Sequence, residues 1–139
     1  MPYKIYIGLD YGEKKIGLAK SDPTGLIATP LKTIRFSSIN KAIAEILEDI
    51  AQTGADAVVV GYPVAPDGGT AGERCRMVDD FIARFQKKYN GPIYKTDERN
   101  SSEEAKRIIQ SHGKKTGRKK ERIDRLAAAI ILQRFLDEL

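Results

Sequence analysis

The chain has 139 residues, 41% of them apolar, enough for one domain with a core that needs no covalent staple. Its single cysteine, Cys75, closes no internal disulfide and supplies no zinc cluster, so a disulfide scaffold and a zinc module are both excluded and a reducing, cytoplasmic setting is expected. The formal net charge is +5, and no apolar run approaches about 18 residues, so we expect neither a membrane span nor a signal peptide.

In chain order, residues 3–10 alternate as a strand does, with Ile5, Ile7 and Leu9 on one side, and residues 16–21 read as a second strand. Gly12 and charged neighbours between them predict a hairpin turn. Residues 26–34 predict a third strand, with Pro30 marking an edge or irregular position. From Ser38, the residues Ile39, Ala42, Ile43, Ile46, Leu47 and Ile50 recur at helical spacing, and Gly54 is a natural stop. Val58 to Val60 form a short apolar strand of the kind buried on both faces. After a turn-rich stretch, residues 72–89 place Met77, Val78, Phe81, Ile82 and Phe85 on one helical face, and residues 92–98 predict a last strand ending in two acids, Asp97 and Glu98. Ser101 and Glu104 match a capping box for a helix running to His112 and Gly113. A final helix from about residue 120 to 139 is expected to bury Ile123, Leu126, Ala127, Ile130, Ile131 and Phe135. Three antiparallel strands followed by alternating helix and strand describe one α/β domain over residues 1–139, a mixed sheet with helices on its faces.

The basic excess lies late. Residues 113–139 carry eight Lys or Arg against four Asp or Glu, and "GKKTGRKKER" at 113–122 is the densest part. Lys114, Lys115, Arg118, Lys119, Lys120 and Arg122 in this run are candidate phosphate contacts, since neutralising phosphates releases condensed counterions; a solvated loop is the plainer alternative. Lys14 and Lys15 in the first hairpin are near enough to Asp10 in sequence to meet the same substrate. The chain lacks both the G-x-x-x-x-G-K-[ST] phosphate loop and a properly placed G-x-G-x-x-G fingerprint, which argues against nucleotide binding by those motifs.

Three acids are candidates for chemistry. Asp10 closes the first strand, Glu98 closes the last, and Asp124 lies near the start of the last helix, on a face with Ala127 and Ala128 small enough to lie close to a sheet. Taken singly, Asp10 can be a turn former, Asp97 and Glu98 can supply charge before a helix, and Asp124 can be a first-turn acid. Gathered, they would repel unless cations lay between them, and hard oxygen ligands suit magnesium or manganese. Strand alternation puts Asp97 and Glu98 on opposite faces, so either can be the second member. His112 reads as a helix-end residue and Cys75 as a neutral semi-buried thiol, while Tyr62 and Pro63 fall where they could shape the floor of a site.

Four blocks, "GLDYGEKKIGLA" (8–19), "VVGYP" with "DGG" (59–63, 67–69), "DERNSSEEA" (97–105) and "IDRLAAAIILQRFL" (123–136), occur in the order found in the YqgF family of Holliday-junction-resolvase-like or pre-16S rRNA nucleases, which the chain resembles over nearly its whole length. The resemblance implies a ribonuclease H-like fold, with a five-stranded mixed sheet flanked by helices. It further implies Asp10, Glu98 and Asp124 as catalytic metal ligands for Mg2+ or Mn2+, and Arg99 near the site. The family's usual leucine and two threonines after "DER" are here Asn100, Ser101 and Ser102. The expected activity is metal-dependent phosphodiester hydrolysis on structured RNA, in 5′-end maturation of 16S rRNA on the pre-ribosomal small subunit, by a monomer or homodimer. Holliday junction resolution on four-way DNA is the alternative enzymatic reading, and a nucleic-acid-binding assembly factor without turnover is the non-enzymatic one. "GLDYGEKKIG" also resembles the first phosphate-contacting hairpin of sugar kinases and actin-like ATPases, but one domain of this length lacks the second wall of their cleft.

Overall fold

The structure, a computed structural model, describes residues 4–63, 72–111 and 119–139. Its elements in chain order are β1 (Tyr6–Tyr11), β2 (Lys15–Ser21), β3 (Ala28–Arg35), α1 (Ile39–Thr53), β4 (Ala57–Tyr62), α2 (Glu73–Gln86), β5 (Ile93–Asp97), α3 (Ser101–Ser111) and α4 (Lys119–Asp137). The five strands form one sheet in the order β3-β2-β1-β4-β5. The pairs β1/β2 and β2/β3 are antiparallel, while β1/β4 and β4/β5 are parallel. This is the mixed sheet expected from the sequence, with β1 and β4 interior. Pro30 falls on edge strand β3, where the pairing passes from Leu18 opposite Lys32 to Ala19 opposite Pro30 and skips Leu31. A residue without a backbone N–H is tolerated at such a place because no inner ladder bond is lost.

Strand alternation divides the core in two. Ile7, Leu9, Val58 and Val60 point to one face and pack against Ile43 and Ile46 of α1 and Val78, Phe81 and Phe85 of α2. Tyr6, Ala57 and Val59 point to the other and meet Ala128, Ala129, Leu132 and Leu136 of α4. Helix α1 begins at Ser38, whose hydroxyl accepts from the Lys41 N–H, and ends at Gly54, whose φ of 72° is the left-handed cap that only glycine adopts freely. At α3, the Glu104 N–H donates to the Asn100 carbonyl, so Asn100, at φ 60°, precedes the helix and Ser101 is its first residue rather than the cap predicted by the capping box. The expected continuation to His112 and Gly113 lies outside the described residues. Among the described residues no helix is long and apolar enough to cross a membrane.

The buried face of α4 differs from the one predicted. Ala127, Ala128, Ile131 and Leu132 are fully buried, whereas Ile123, Leu126, Ile130 and Phe135 are half-buried. The reason is how closely the helix approaches the sheet. A β-carbon on Gly8 would stand 2.8 Å from Leu132 Cβ and 3.1 Å from the Ala128 carbonyl oxygen. One on Gly61 would stand 2.6 Å from the Ile131 side chain, and one on Gly17 would land on the backbone carbonyl of Asp124. Glycines on three adjacent strands thus form a trough for α4, and Ala128, Ile131 and Leu132 face that trough. Gly17→Ala is expected to cost more than about 2 kcal/mol in urea denaturation, because backbone rather than a flexible side chain would have to move. Gly54→Ala, strained in φ but with no atom within 4 Å of the added carbon, is expected to cost about 1 kcal/mol.

Candidate active site

Asp10 is the last residue but one of β1 and pairs with Gly17 of β2. Being two residues from Gly8, it points to the α4 side of the sheet. Because Gly17 offers no side chain, the first part of α4 lies directly over it, which brings Asp124 above the Asp10/Gly17 pair. Glu98 follows β5 and donates its N–H to the Tyr62 carbonyl at 3.3 Å, while its Cβ lies 3.1 Å from where a side chain on Gly61 would begin. Three acids far apart in sequence therefore share one end of the sheet, where β1, β4 and β5 finish.

Their electrostatics show the proximity. Burial, the nearby Glu98 carboxylate and, more weakly, Asp124 push the Asp10 carboxyl up to about 7, with Arg74 acting against them. Burial also raises Glu98, opposed by the Arg74 guanidinium. Asp97, the other member of the pair left open by the sequence, behaves differently. Partial burial works against its ionisation, but hydrogen bonds from the Arg99 N–H at 2.8 Å and the Arg99 side chain at 2.9 Å outweigh it and hold the carboxyl below its ordinary value. Glu98, and not Asp97, acts on Asp10.

Two cations already serve the acids. Lys15 Nζ stands 3.1 Å from Asp124 Oδ2, an ion pair without hydrogen-bond alignment. Arg74 Nη2 stands 3.2 Å from Glu98 Oε2 and donates to the Tyr11 carbonyl at the same distance. The second Glu98 oxygen, Oε1, is buried without a hydrogen-bond partner. Among the described residues, no group of three His, Cys, Asp or Glu side chains is already arranged to hold a metal ion. The donor set nevertheless fits a hard divalent cation: all its members are carboxylate oxygens, two of them, Glu98 Oε1 and Asp124 Oδ2, buried without a hydrogen-bond partner, and burial makes ionised Asp10 costly unless a cation joins it.

Arg74 has no part in the reading of the sequence above. The signal was available: a cation in the first turn of a helix opposes the dipole and needs an anion nearby. Cys75 itself is buried, with Sγ 3.2 Å from the Pro63 carbonyl oxygen. Of the expected phosphate contacts, Lys15 lies on Asp124, Lys14 is exposed on the hairpin, and Arg122 is half-buried on α4. Arg99, although paired with Asp97, lines a cavity of about 310 Å³ with Arg74, Glu98, Asn100, Ser101 and Ser102. Lys119 and Lys120 are in the first turn of α4, while Lys114, Lys115 and Arg118 lie outside the described residues.

A metal-free pH dependence follows from Asp10. Its unfolded form titrates near the ordinary 3.8 and its folded form near 7, so the folded state binds the extra proton between them. The stabilisation is complete below about 4 and is lost as pH rises through about 7, with Glu98 adding to the same slope. In EDTA, Asp10→Asn is expected to flatten this slope and to melt above the unsubstituted chain at pH 8, as read by thermal denaturation across pH 4 to 8.

Comparison with known proteins bears on the fold and the family. The family model for RuvX, described as Holliday junction resolvase, matches residues 4–138. A Chloroflexus aggregans protein named "putative pre-16S rRNA nuclease" is 39% identical over 137 residues, covering 99% of this chain and 96% of that protein. A Trichormus variabilis protein of the same name is 37% identical over 135 residues, covering 97% and 89%. Among solved structures, Thermus thermophilus RuvC in complex with a Holliday junction substrate superposes with a TM-score of 0.62 at 16% identity, covering 98% of this chain and 95% of that one. The fowlpox virus Holliday junction resolvase gives 0.55 at 15% identity, covering 97% and 99%. The two solved structures share the fold, a ribonuclease H-like one, and the family match together with the closer relatives establishes that this chain belongs to the RuvX (YqgF) family.

Proposed function

We propose that this protein is a divalent-metal-dependent nuclease that hydrolyses phosphodiester bonds in structured RNA, in the 5′-end maturation of precursor 16S rRNA in the cytoplasm. The observation that carries this reading is the meeting of Asp10, Glu98 and Asp124 at one end of the sheet, with a buried, unsatisfied Glu98 oxygen among them. The names of relatives that cover nearly the whole chain support the substrate. The description of the matching family favours a second substrate, the four-way DNA junction. Both share one chemistry.

Asp10, Glu98 and Asp124 would hold Mg2+ or Mn2+, which supplies a water acidic enough to attack at neutral pH and a positive charge for the transferring phosphate oxygens. The chain's own residues do the rest. Strand β1, the central strand, holds Asp10 near its C-terminal end by pairing on both sides. Arg74 ties Glu98 to the end of β1 through the Tyr11 carbonyl and sets the orientation of that carboxylate. Arg99, half exposed at the mouth of the neighbouring cavity, has guanidinium donors beyond those on Asp97 with which to meet a phosphate next to the cut. The basic run at 113–122 would extend these contacts along the backbone.

Purified protein is expected to cut a precursor-rRNA end, a four-way junction, or both, in Mg2+ or Mn2+. Asp10→Asn is expected to lower the rate on the order of 10²-fold or more, since even outer partners of metal ligands cost up to about 10²-fold. No cleavage of either substrate in any divalent metal, together with nucleic-acid binding that persists in EDTA, would overturn the enzymatic reading in favour of a binding protein.

A further inference from the structure

We propose that Lys15 is an exchangeable countercharge: it holds Asp124 in the metal-free protein, gives it up when a divalent cation binds, and turns to a phosphate of the substrate. This rests on the metal-dependent reading above and concerns which of the two resident cations yields. Lys15 and Arg74 differ in how they are held. Arg74 has two anchors on different elements, the Tyr11 carbonyl and Glu98. The Lys15 side chain has one partner among the described residues, Asp124, and that contact lacks hydrogen-bond alignment. Its side chain is 23% exposed, so it has a way out to solvent and substrate.

The backbone at Lys15 is fixed, which confines the movement to the side chain. The Lys15 carbonyl accepts the Gly12 N–H at 2.9 Å across the hairpin, and the residue pairs with Arg35 at the other side. A β-carbon on Gly12 would stand 2.9 Å from the Lys15 carbonyl oxygen, so glycine there lets the turn close and aim the lysine. What remains is a compact ammonium on a flexible four-carbon stem, well suited to exchanging one oxygen for another. Charge balance points the same way. With the three carboxylates ionised, Lys15 and Arg74 leave one negative charge uncompensated. Adding a divalent cation and keeping both leaves one positive charge, which a single phosphodiester matches. Asp124 cannot serve both the ammonium and a metal at full strength, and the ammonium has the phosphate to go to.

The test is Mn2+ binding, without nucleic acid, by calorimetry and by the Mn2+-induced rise in melting temperature. The unsubstituted chain is compared with Lys15→Met, which keeps the stem, and with Lys15→Gln. Removing the ammonium is expected to tighten Mn2+ binding about tenfold, the size of a partly buried pair of opposing charges. In Ca2+, the same variants are expected to bind a nucleic-acid duplex more weakly and with a salt slope reduced by about one. Unchanged or weaker Mn2+ binding in both variants, with the unsubstituted chain binding Mn2+, overturns the exchange and leaves the nuclease reading standing. Absence of Mn2+ binding in all three overturns that reading and the exchange with it. Should one variant melt in EDTA as an unfolded chain, the other decides.

Discussion

The structure depends on one helix lying closer to its sheet than side chains normally permit. Gly8, Gly17 and Gly61 occur on three adjacent strands, β1, β2 and β4, and each leaves room that α4 fills: Leu132 and the Ala128 carbonyl over Gly8, the Asp124 backbone over Gly17, and Ile131 over Gly61. Interiors are packed so tightly that a displacement of one methyl group is felt, so this contact fixes the height and direction of α4. Asp124 is carried by that helix at the point of its nearest approach. Its position over Asp10 is a consequence of packing several residues away from any charge.

The same closeness creates the electrostatic problem that the site must solve. Three carboxylates at the end of a sheet, two of them with raised proton affinity, would be unfavourable without positive charge. The protein meets part of the demand with Lys15 and Arg74, drawn from elements on either side of the acids: the β1–β2 hairpin and the start of α2. The remaining part is visible as a buried Glu98 oxygen with no partner. Stability and function pull in opposite directions here, as they do wherever a site keeps unsatisfied groups for a substrate or ion.

Much of the fold was legible because its signals are local. The helix from Ser38 to Gly54 carries its own periodicity and both of its caps, and the apolar run at Val58 to Val60 could only be an interior strand. Pro30 identified the edge strand. The buried face of α4 was read in part: Ala127 and Ile131 are fully buried as expected, but Ala128 and Leu132, and not Ile123 or Ile130, complete the face that the sheet glycines admit. The three candidate acids stand out by position, Asp10 and Glu98 where their strands end and Asp124 near the start of its helix. Lys15 could be named only for its nearness to Asp10; its pairing with Asp124, like that of Arg74 with Glu98, leaves no periodic trace. Choosing between Asp97 and Glu98 likewise required knowing which of them faces Asp10.

The irregularity on β3 bears on how these molecules behave when crowded together. An outer strand with a regular row of free amides invites another chain to dock edge to edge. Pro30 removes one of those amides, and the skipped residue Leu31 bends the line of the rest. Sheet-to-sheet growth is thereby discouraged along that border, so a solution concentrated in this protein resists fibril-like stacking from that side, and the feature that looks like a flaw in strand regularity acts as a guard on solubility.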